Sequence, residues 1–137
     1  MTLTEFLNAQ IAEDEAVALT ASADLDPTWW EKSEHARVYA GDWDWVVQGG
    51  EIEAGLNLRR DPLAHIARHD PGRVLAECAV KRAIVALHSS EQGVRYGYCE
   101  QCWDGNMPLP YPCPTLRMLA EPYDDHPDYN TEWRPMT

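Results

Sequence analysis

Residues 99–113 read CEQCWDGNMPLPYPC and contain three of the four cysteines of the chain. Cys99 and Cys102 are separated by two residues, a spacing at which a tight turn directs both thiolates toward one tetrahedral metal ion. Cys113 precedes Pro114-Thr115, a typical helix start, where backbone N–H groups favour a thiolate. The stretch therefore predicts a structural Zn²⁺ site with three cysteine ligands.

His88 is the predicted fourth ligand. It ends a predicted helix, and ten residues separate it from Cys99, as ten separate Cys102 from Cys113. Cys78 is the rival, but a continuous helix would place it about 15 Å from His88 along the axis, so one ion cannot take both. We expect Cys78 in the core because its neighbours are apolar. Four protein ligands would fill the coordination sphere and make the zinc structural rather than catalytic.

The Cys-x-x-Cys pair has two alternative interpretations, a redox motif or ordinary free thiols. The strand-then-helix setting of a thioredoxin-like site is missing. The first residues, MTLTEF, contain no basic region followed by an apolar stretch, and no later segment has the length of a membrane span. We therefore expect a cytoplasmic protein, in which cysteines serve as metal ligands, reactive thiols or core residues more often than as disulfides.

Composition favours one domain over residues 1–137 and constrains its partners. The formal net charge is -12, which disfavours direct binding to nucleic acid or to an anionic membrane surface. An acidic surface can instead meet a basic surface of a protein partner. A solvated acidic face that aids solubility is the simpler alternative.

Three helical segments are predicted before the cysteines. Apolar spacing predicts an N-terminal helix within residues 1–20, from about Leu3 to Leu19, with a capping box at its start. Two Asp-Pro pairs, Asp61-Pro62 and Asp70-Pro71, each place an N-cap residue before a proline suited to the first helical position. They predict a helical pair over residues 62–88, whose second member is a long central helix.

The central helix has a predicted polar ladder and a predicted apolar face. Arg73, Glu77 and Lys81 lie at i, i+4 spacing and form the ladder. The apolar face is predicted to consist of Val74, Leu75, Cys78, Ile84, Val85 and Leu87.

A small antiparallel hairpin or meander is predicted over residues 36–56, where short aromatic and β-branched stretches are separated by Gly49-Gly50. Trp43 and Trp45 alternate with aspartates, so both indoles share one strand face. That face packs against a helix in the simpler interpretation and binds a partner in the functional one. Trp29-Trp30 is assigned to a loop.

The C-terminal third completes an α+β fold class. Residues 89–120 form the predicted zinc-binding segment, a zinc knuckle with a short helix from about Pro114 to Ala120. Residues 121–137 are acidic and aromatic and are expected to run as an extended tail over the surface.

His65 and His69 form a candidate second metal site, because i, i+4 spacing puts both imidazoles on one helical face. The glutamate that follows the first histidine of a helical metalloprotease is absent, since Ile66 stands there. Histidines that cap or pack at a helix junction are the simpler interpretation. An enzyme would need a carboxylate such as Asp70 or Asp125 from elsewhere.

These stretches resemble an uncharacterised family of small actinobacterial and actinophage proteins, classed as a domain of unknown function. The resemblance rests on LTEFLNAQIAEDEAVA from Leu3 to Ala18, HIARHDPGRVL from His65 to Leu75, residues 81–88, the Cys99/Cys102 pair, PCPTLRML from Pro112 to Leu119, and HPDY at 126–129 followed by Trp133. It implies an actinobacterial or phage source and implies no activity.

The sequence thus predicts a zinc-stabilised acidic module for protein interaction or regulation, without catalytic activity. A phage-encoded module of this kind would act on a host protein. The alternative is a small metal-dependent hydrolase or nucleic-acid enzyme that uses His65 and His69. A third interpretation is an accessory protein with a structural zinc and a conditional role.

Overall fold

A computed structural model describes residues 1–32, 37–42, 44–48, 61–90 and 93–135 of the chain. Within these ranges it is an α+β protein with two three-stranded antiparallel sheets, which confirms the predicted fold class. The helices are α1 (Leu3–Ala21), α2 (Asp61–Arg68), α3 (Pro71–Ser89) and α4 (Pro114–Ala120). The strands are β1 (Trp29–Lys32), β2 (Arg37–Ala40), β3 (Asp44–Gln48), β4 (Val94–Arg95), β5 (Tyr98–Trp103) and β6 (Pro108–Pro110).

The chain divides into two compact units. The first unit comprises residues 1–13 and 78–137, and the second unit comprises residues 14–77. Helices α1 and α3 each contribute residues to both units. The assignment of a single domain over residues 1–137 stays a prediction. None of the helices in the described part combines the length and apolar character that a membrane crossing requires.

Helix α1 begins at the predicted capping box. The Thr2 backbone N–H donates to Glu5 Oε2 at 2.7 Å, and the Glu5 N–H donates to Thr2 Oγ1 at 3.2 Å. The Thr2 backbone N–H, followed by the Thr2 hydroxyl, holds the pKa of Glu5 below its usual value. The two bonds satisfy backbone donors that the helix start would otherwise leave unpaired.

The C-terminal segment packs onto helix α1 through a group of aromatic rings, here called the tail cluster. Phe6 is fully buried at its centre. The ring centroids of the surrounding residues lie 5.1 to 6.3 Å from that of Phe6, and these residues are Tyr123, His126, Tyr129 and Trp133. The predicted extended tail is therefore wrong in part, because residues 121–123 and 131–133 form 3₁₀ helices that turn the aromatic side chains inward.

Replacing Phe6 with Ala should lower the free energy of unfolding by about 3–5 kcal/mol, because four rings lose their common neighbour. Leu19→Ala is the control, since Leu19 lies on the same helix but is 55% exposed and should cost about 0.5 kcal/mol. Urea denaturation followed by circular dichroism measures both. Equal effects of the two substitutions would show that the tail cluster does not anchor α1.

The first sheet begins earlier in the chain than predicted. Trp29 and Trp30 open β1, which pairs antiparallel with β2, so the loop assignment for this pair is wrong. Trp30 stacks on its cross-strand partner Tyr39 with centroids 4.7 Å apart, and its Nε1–H donates to the Gly41 carbonyl at 2.7 Å. Such cross-strand aromatic pairs favour strand over loop. The sequence alone did not reveal the pairing because β2 lies several residues further along the chain.

The proposed tryptophan face is described only in part. Strand β3 pairs with β2, and Trp45 is opposite Tyr39 in the register. Trp43 and the side chain of Trp45 lie outside the described residues, as do residues 49–56 at the end of the predicted hairpin or meander. Partner binding by the two indoles therefore stays a prediction.

Asp70 connects α3 to the first sheet within the second unit. Its Oδ1 accepts the Arg73 backbone N–H at 2.7 Å, the bond expected of an N-cap residue. Its Oδ2 accepts the Trp29 backbone N–H at 3.0 Å, at the start of β1. Both Asp-Pro pairs thus mark helix starts, as predicted. Helix α2 packs on the sheet through Ala67 and Ile66, which contact Val38 and Trp29.

The central helix differs from its predicted pattern at one position, Leu87. In its last three turns the buried side chains are Cys78, Val85 and His88, whereas Leu87, assigned to the apolar face, is 52% exposed. The buried stripe is therefore narrower than the one predicted from hydrophobicity. Arg73 and Glu77 form the first rung of the predicted ladder at 2.7 Å, and Lys81 donates to the Tyr123 hydroxyl at 3.1 Å.

Candidate metal centre

Helix α3 delivers His88 to the interior of the first unit. The residue lies in the last turn of the helix and is 8% exposed, although imidazoles are usually found nearer to solvent. Ser89 closes the same turn, and its hydroxyl donates to the Val85 carbonyl at 2.6 Å. Helix α3 therefore ends directly after the residue whose imidazole is buried.

Gly93 brings the chain back against the end of α3. Its N–H donates to the Ser90 carbonyl at 2.9 Å, and its own carbonyl accepts the Glu100 N–H of β5 at 2.8 Å. A Cβ at position 93 would lie 2.2 Å from the Leu87 carbonyl oxygen, a distance that requires the backbone to move. Only glycine allows the chain just before β4 to pass this close to the turn that carries His88.

An irregularity in β5 places Cys99 and Cys102 together. Residues three apart in a regular strand point to opposite faces of the sheet. Here Cys99 pairs with Leu109 and Trp103 pairs with Pro108, so four steps along β5 correspond to one step along β6 and the register shifts between them. A shift of this kind re-aims side chains, as a β-bulge does. Both thiols can then face the same imidazole.

Cys113 occupies the N-cap position of α4, as its place before Pro114 predicted. Its side chain is fully buried. Burial raises the pKa of the Cys113 thiol to about 12, the neighbouring thiols of Cys99 and Cys102 act in the same direction, and the Leu116 backbone N–H opposes them. A thiolate at this position therefore needs a nearby positive charge, which a divalent cation would supply.

The four side chains converge on one point and are here called the Cys₃His cluster. His88 Nδ1 lies 3.4 Å from the Sγ of Cys99 and 3.5 Å from the Sγ atoms of Cys102 and Cys113. All four donor atoms lie within 4.8 Å of one another. Tetrahedral zinc with ordinary Zn–S and Zn–N bond lengths would separate nitrogen from sulfur by about 3.6 Å. The spacing thus fits one ion at the centre, and the cluster can hold a metal ion.

The hydroxyl of Thr115 gives the cluster a polar contact from outside the four residues. Thr115 Oγ1 lies 3.4 Å from the Sγ of Cys102, which is the most exposed of the three clustered cysteines. A hydroxyl donor stabilises negative charge on sulfur. The least enclosed cysteine of the cluster therefore has a hydrogen-bonding neighbour.

The structure also locates the other candidates. Cys78 is 1% exposed and lies outside the cluster, and no disulfide joins any of the four cysteines, all of which are described. His65 and His69 belong to the second unit and are exposed. Across the described ranges, no second group of three or more histidine, cysteine or acidic side chains converges as the Cys₃His cluster does.

The second sheet was not predicted, and it presents apolar side chains to solvent at both of its turns. Tyr96 is 96% exposed at the β4–β5 turn, and Trp103 and Met107 are 54% and 51% exposed at the β5–β6 turn. Tyr96-Gly97, between Val94-Arg95 and Tyr98-Cys99, was the available signal for a two-residue hairpin turn.

The fold and the cluster define a small α+β protein that can hold a metal ion through one imidazole and three thiols. The chain belongs to the family of unknown function DUF6221, whose model matches residues 1–135. This confirms the resemblance to an uncharacterised family. A search of curated proteins and a search of solved structures found no match. Activity must therefore be argued from the chain itself.

Cys113→Ala and Cys78→Ala form a matched pair, because each removes one thiol that is at most 1% exposed. We expect Cys113→Ala to abolish metal retention and to lower the thermal midpoint strongly, since a ligand is lost. Cys78→Ala should lower the midpoint through the cavity alone and keep the metal. Elemental analysis and thermal denaturation measure both quantities. Metal loss in the Cys78 variant would contradict the assignment of ligands.

Gly93→Ala should destabilise the first unit and weaken metal retention against a chelator, because the added Cβ meets the Leu87 carbonyl oxygen. Gly105→Ala is the control. Gly105 has a φ of 105° and open space around its Cβ position, so alanine there introduces only backbone strain of about 1–2 kcal/mol. Metal release to a chelator, followed with a colorimetric zinc indicator, distinguishes the two variants. Equal metal release from both variants would exclude the close approach as the cause.

Proposed function

We propose that the protein is a zinc-stabilised module for protein interaction or regulation, without catalytic activity of its own. The observation that carries the proposal is the Cys₃His cluster, in which four protein side chains occupy all the positions of a tetrahedral ion. Catalysis at such an ion would need an open position for water or substrate. A filled sphere supports a structural role.

Zinc is the proposed ion because of the donor set. Three sulfur donors and one imidazole at tetrahedral spacing suit Zn²⁺, whereas Mg²⁺ and Ca²⁺ prefer oxygen ligands. The binding free energy of a structural zinc adds directly to folding free energy. The short strands β4 and β6, of two and three residues, contribute few hydrogen bonds of their own. The free energy of zinc binding would compensate for the small number of hydrogen bonds in this sheet.

The proposed partner is a protein with a basic surface. The chain carries 23 acidic against 11 basic residues, which gives the net charge of -12. Charge of one sign steers association with the opposite sign and makes the rate depend on salt. We place the encounter in the cytoplasm. If the chain is phage-encoded, a host regulator would be the partner.

The exposed aromatic side chains of the second sheet are the proposed contact residues in the first unit. Tyr96 has a φ of 51°, a left-handed backbone conformation that is strained for tyrosine. Positive φ at both Tyr96 and Gly97 is what a two-residue hairpin turn requires. The Nε1–H of Trp103 donates to the Glu100 carbonyl at 2.9 Å, so the exposed indole is held in one orientation. Trp43 and Trp45 are the proposed contact residues of the second unit.

Tyr96→Asn should raise stability by about 1 kcal/mol, because asparagine tolerates the left-handed conformation, and should weaken partner binding. Trp103→Ala should also weaken binding. Quantitative affinity capture from host lysate at increasing salt, with thermal denaturation in parallel, measures both effects. Val80→Ala, at a side chain that is 60% exposed on α3, is the control and should capture the partner as the wild type does.

The proposal fails if no saturable partner is recovered, or if the recovered protein binds the Tyr96, Trp103 and Val80 variants equally. A partner whose capture is independent of salt would contradict its basic character.

The alternative function, a metal-dependent hydrolase or nucleic-acid enzyme built on His65 and His69, has narrower support. Both imidazoles are exposed, and His69 lines a groove of about 300 Å³ in the second unit. However, both carboxylate oxygens of Asp70 accept backbone N–H groups, which leaves this residue poorly suited to act as a base. We therefore rank the interaction module first.

A further inference from the structure

The His65–His69 pair is the feature that the proposed function leaves unused. His65 lies in the last turns of α2, and the His69 N–H donates to the His65 carbonyl at 3.1 Å, so helical spacing continues through His69. The two ring centroids are 4.4 Å apart, with an interplanar angle of 43°. Both rings therefore stand side by side on one exposed face.

The backbone that carries the pair is held from both ends. Between the two histidines, Ile66 and Ala67 pack against Val38 and Trp29 of the sheet. Immediately after His69, the two carboxylate oxygens of Asp70 accept backbone N–H groups of Trp29 and Arg73. The spacing of the two backbone positions is thus set by the fold of the second unit, so binding a common ion would require ordering of the two side chains alone.

The separation of the rings fits chelation of one ion. An imidazole nitrogen binds a transition metal at about 2.1 Å, so two chelating rings have centroids about 4.6 Å apart at a right angle and about 5.3 Å apart at the tetrahedral angle. The observed 4.4 Å is close to the right-angle value. Right angles between ligands are characteristic of Ni²⁺ and Cu²⁺ sites.

We propose that His65 and His69 form an accessible, exchangeable site for a divalent transition metal of the Ni²⁺ and Cu²⁺ class. Two imidazoles leave coordination positions open to water or to a further ligand. His69 also lines the groove, together with Asp14 and mainly apolar side chains that include Trp29, Pro71 and Val74. An ion at the pair would therefore have open positions beside an apolar surface and a carboxylate.

The surrounding charges permit a cation at this place. Arg68 is exposed next to the pair, and Arg73 is ion-paired with Glu77 at 2.7 Å. Asp14, on the wall of the groove, contributes negative charge. The donor chemistry also differs from that of the Cys₃His cluster, because two imidazole nitrogens suit Ni²⁺ and Cu²⁺ as well as Zn²⁺, whereas three thiolates favour zinc. The two sites can then hold different ions in one chain.

The test is calorimetric titration of Ni²⁺ into the full-length, zinc-loaded protein in a buffer that does not coordinate metals. We expect about one additional Ni²⁺ per chain, bound more tightly than Co²⁺ in the same experiment. His65→Ala and His69→Ala should each abolish this binding, because one imidazole cannot chelate. Arg68→Ala, at an exposed neighbouring position, should leave the stoichiometry unchanged.

Zinc content is measured before and after the titration. Retention of zinc together with uptake of Ni²⁺ supports a separate site. Equal Ni²⁺ binding by the wild type and both single-histidine variants would overturn the proposal, as would uptake of Ni²⁺ accompanied by release of an equal amount of zinc. Neither result would affect the proposed structural role of zinc in the Cys₃His cluster, which the cysteine variants test separately.

Discussion

The convergence of one imidazole and three thiols is the constraint on which the first unit depends. These groups come from the end of α3, from β5 and from the N-cap position of α4. Cys99 and Cys113 are completely buried, and burial raises the pKa of the Cys113 thiol to about 12. A divalent ion at their centre would offset this desolvation and would tie the three elements together.

Several local features act together to produce that convergence. Gly93 allows the chain to pass close to the last turn of α3. The register shift in β5 turns the thiols of Cys99 and Cys102 toward the same imidazole. Cys113, at the N-cap position of α4, supplies the third thiol. The tail cluster, in turn, attaches the first turns of α1 to the C-terminal segment through Phe6. The close approach at Gly93 and the register shift in β5 together bring the four donor atoms to one point.

Features with a fixed local spacing could be predicted from the sequence. The capping box at Thr2, the helix starts at Asp61-Pro62 and Asp70-Pro71, and the choice of His88 over Cys78 all depend on distances along the chain that covalent geometry sets. The selection of these four residues followed from spacing alone. Whether they bind zinc stays a proposal.

Features that depend on pairing between distant segments could not be predicted. Trp29-Trp30 forms a strand because β2 pairs with it, and nothing within the dipeptide itself indicates that partner. Strands β4 and β6 are too short for periodicity to be visible, and β6 reads Pro-Leu-Pro. Leu87 is exposed because the buried stripe of α3 is set by the position of His88 and Val85, which hydropathy does not report.

The two candidate metal sites illustrate how one chain can separate structural from exchangeable binding. The Cys₃His cluster is enclosed and has four donors, whereas the histidine pair is exposed and has two. The first stabilises a surface for a basic partner in our proposal, and the second leaves open coordination positions beside a groove. Each proposal depends on a different compact unit.

Hydrogen–deuterium exchange with and without zinc tests the central claim most directly. Removal of zinc by a chelator should expose the amides of β4, β5, β6 and α4 to rapid exchange, while the amides of β1 and β2 in the second unit keep their protection. Restoring zinc should restore protection. Unchanged exchange in β5 and α4 after complete removal of the metal would contradict the account, because the cluster would then hold its elements without an ion.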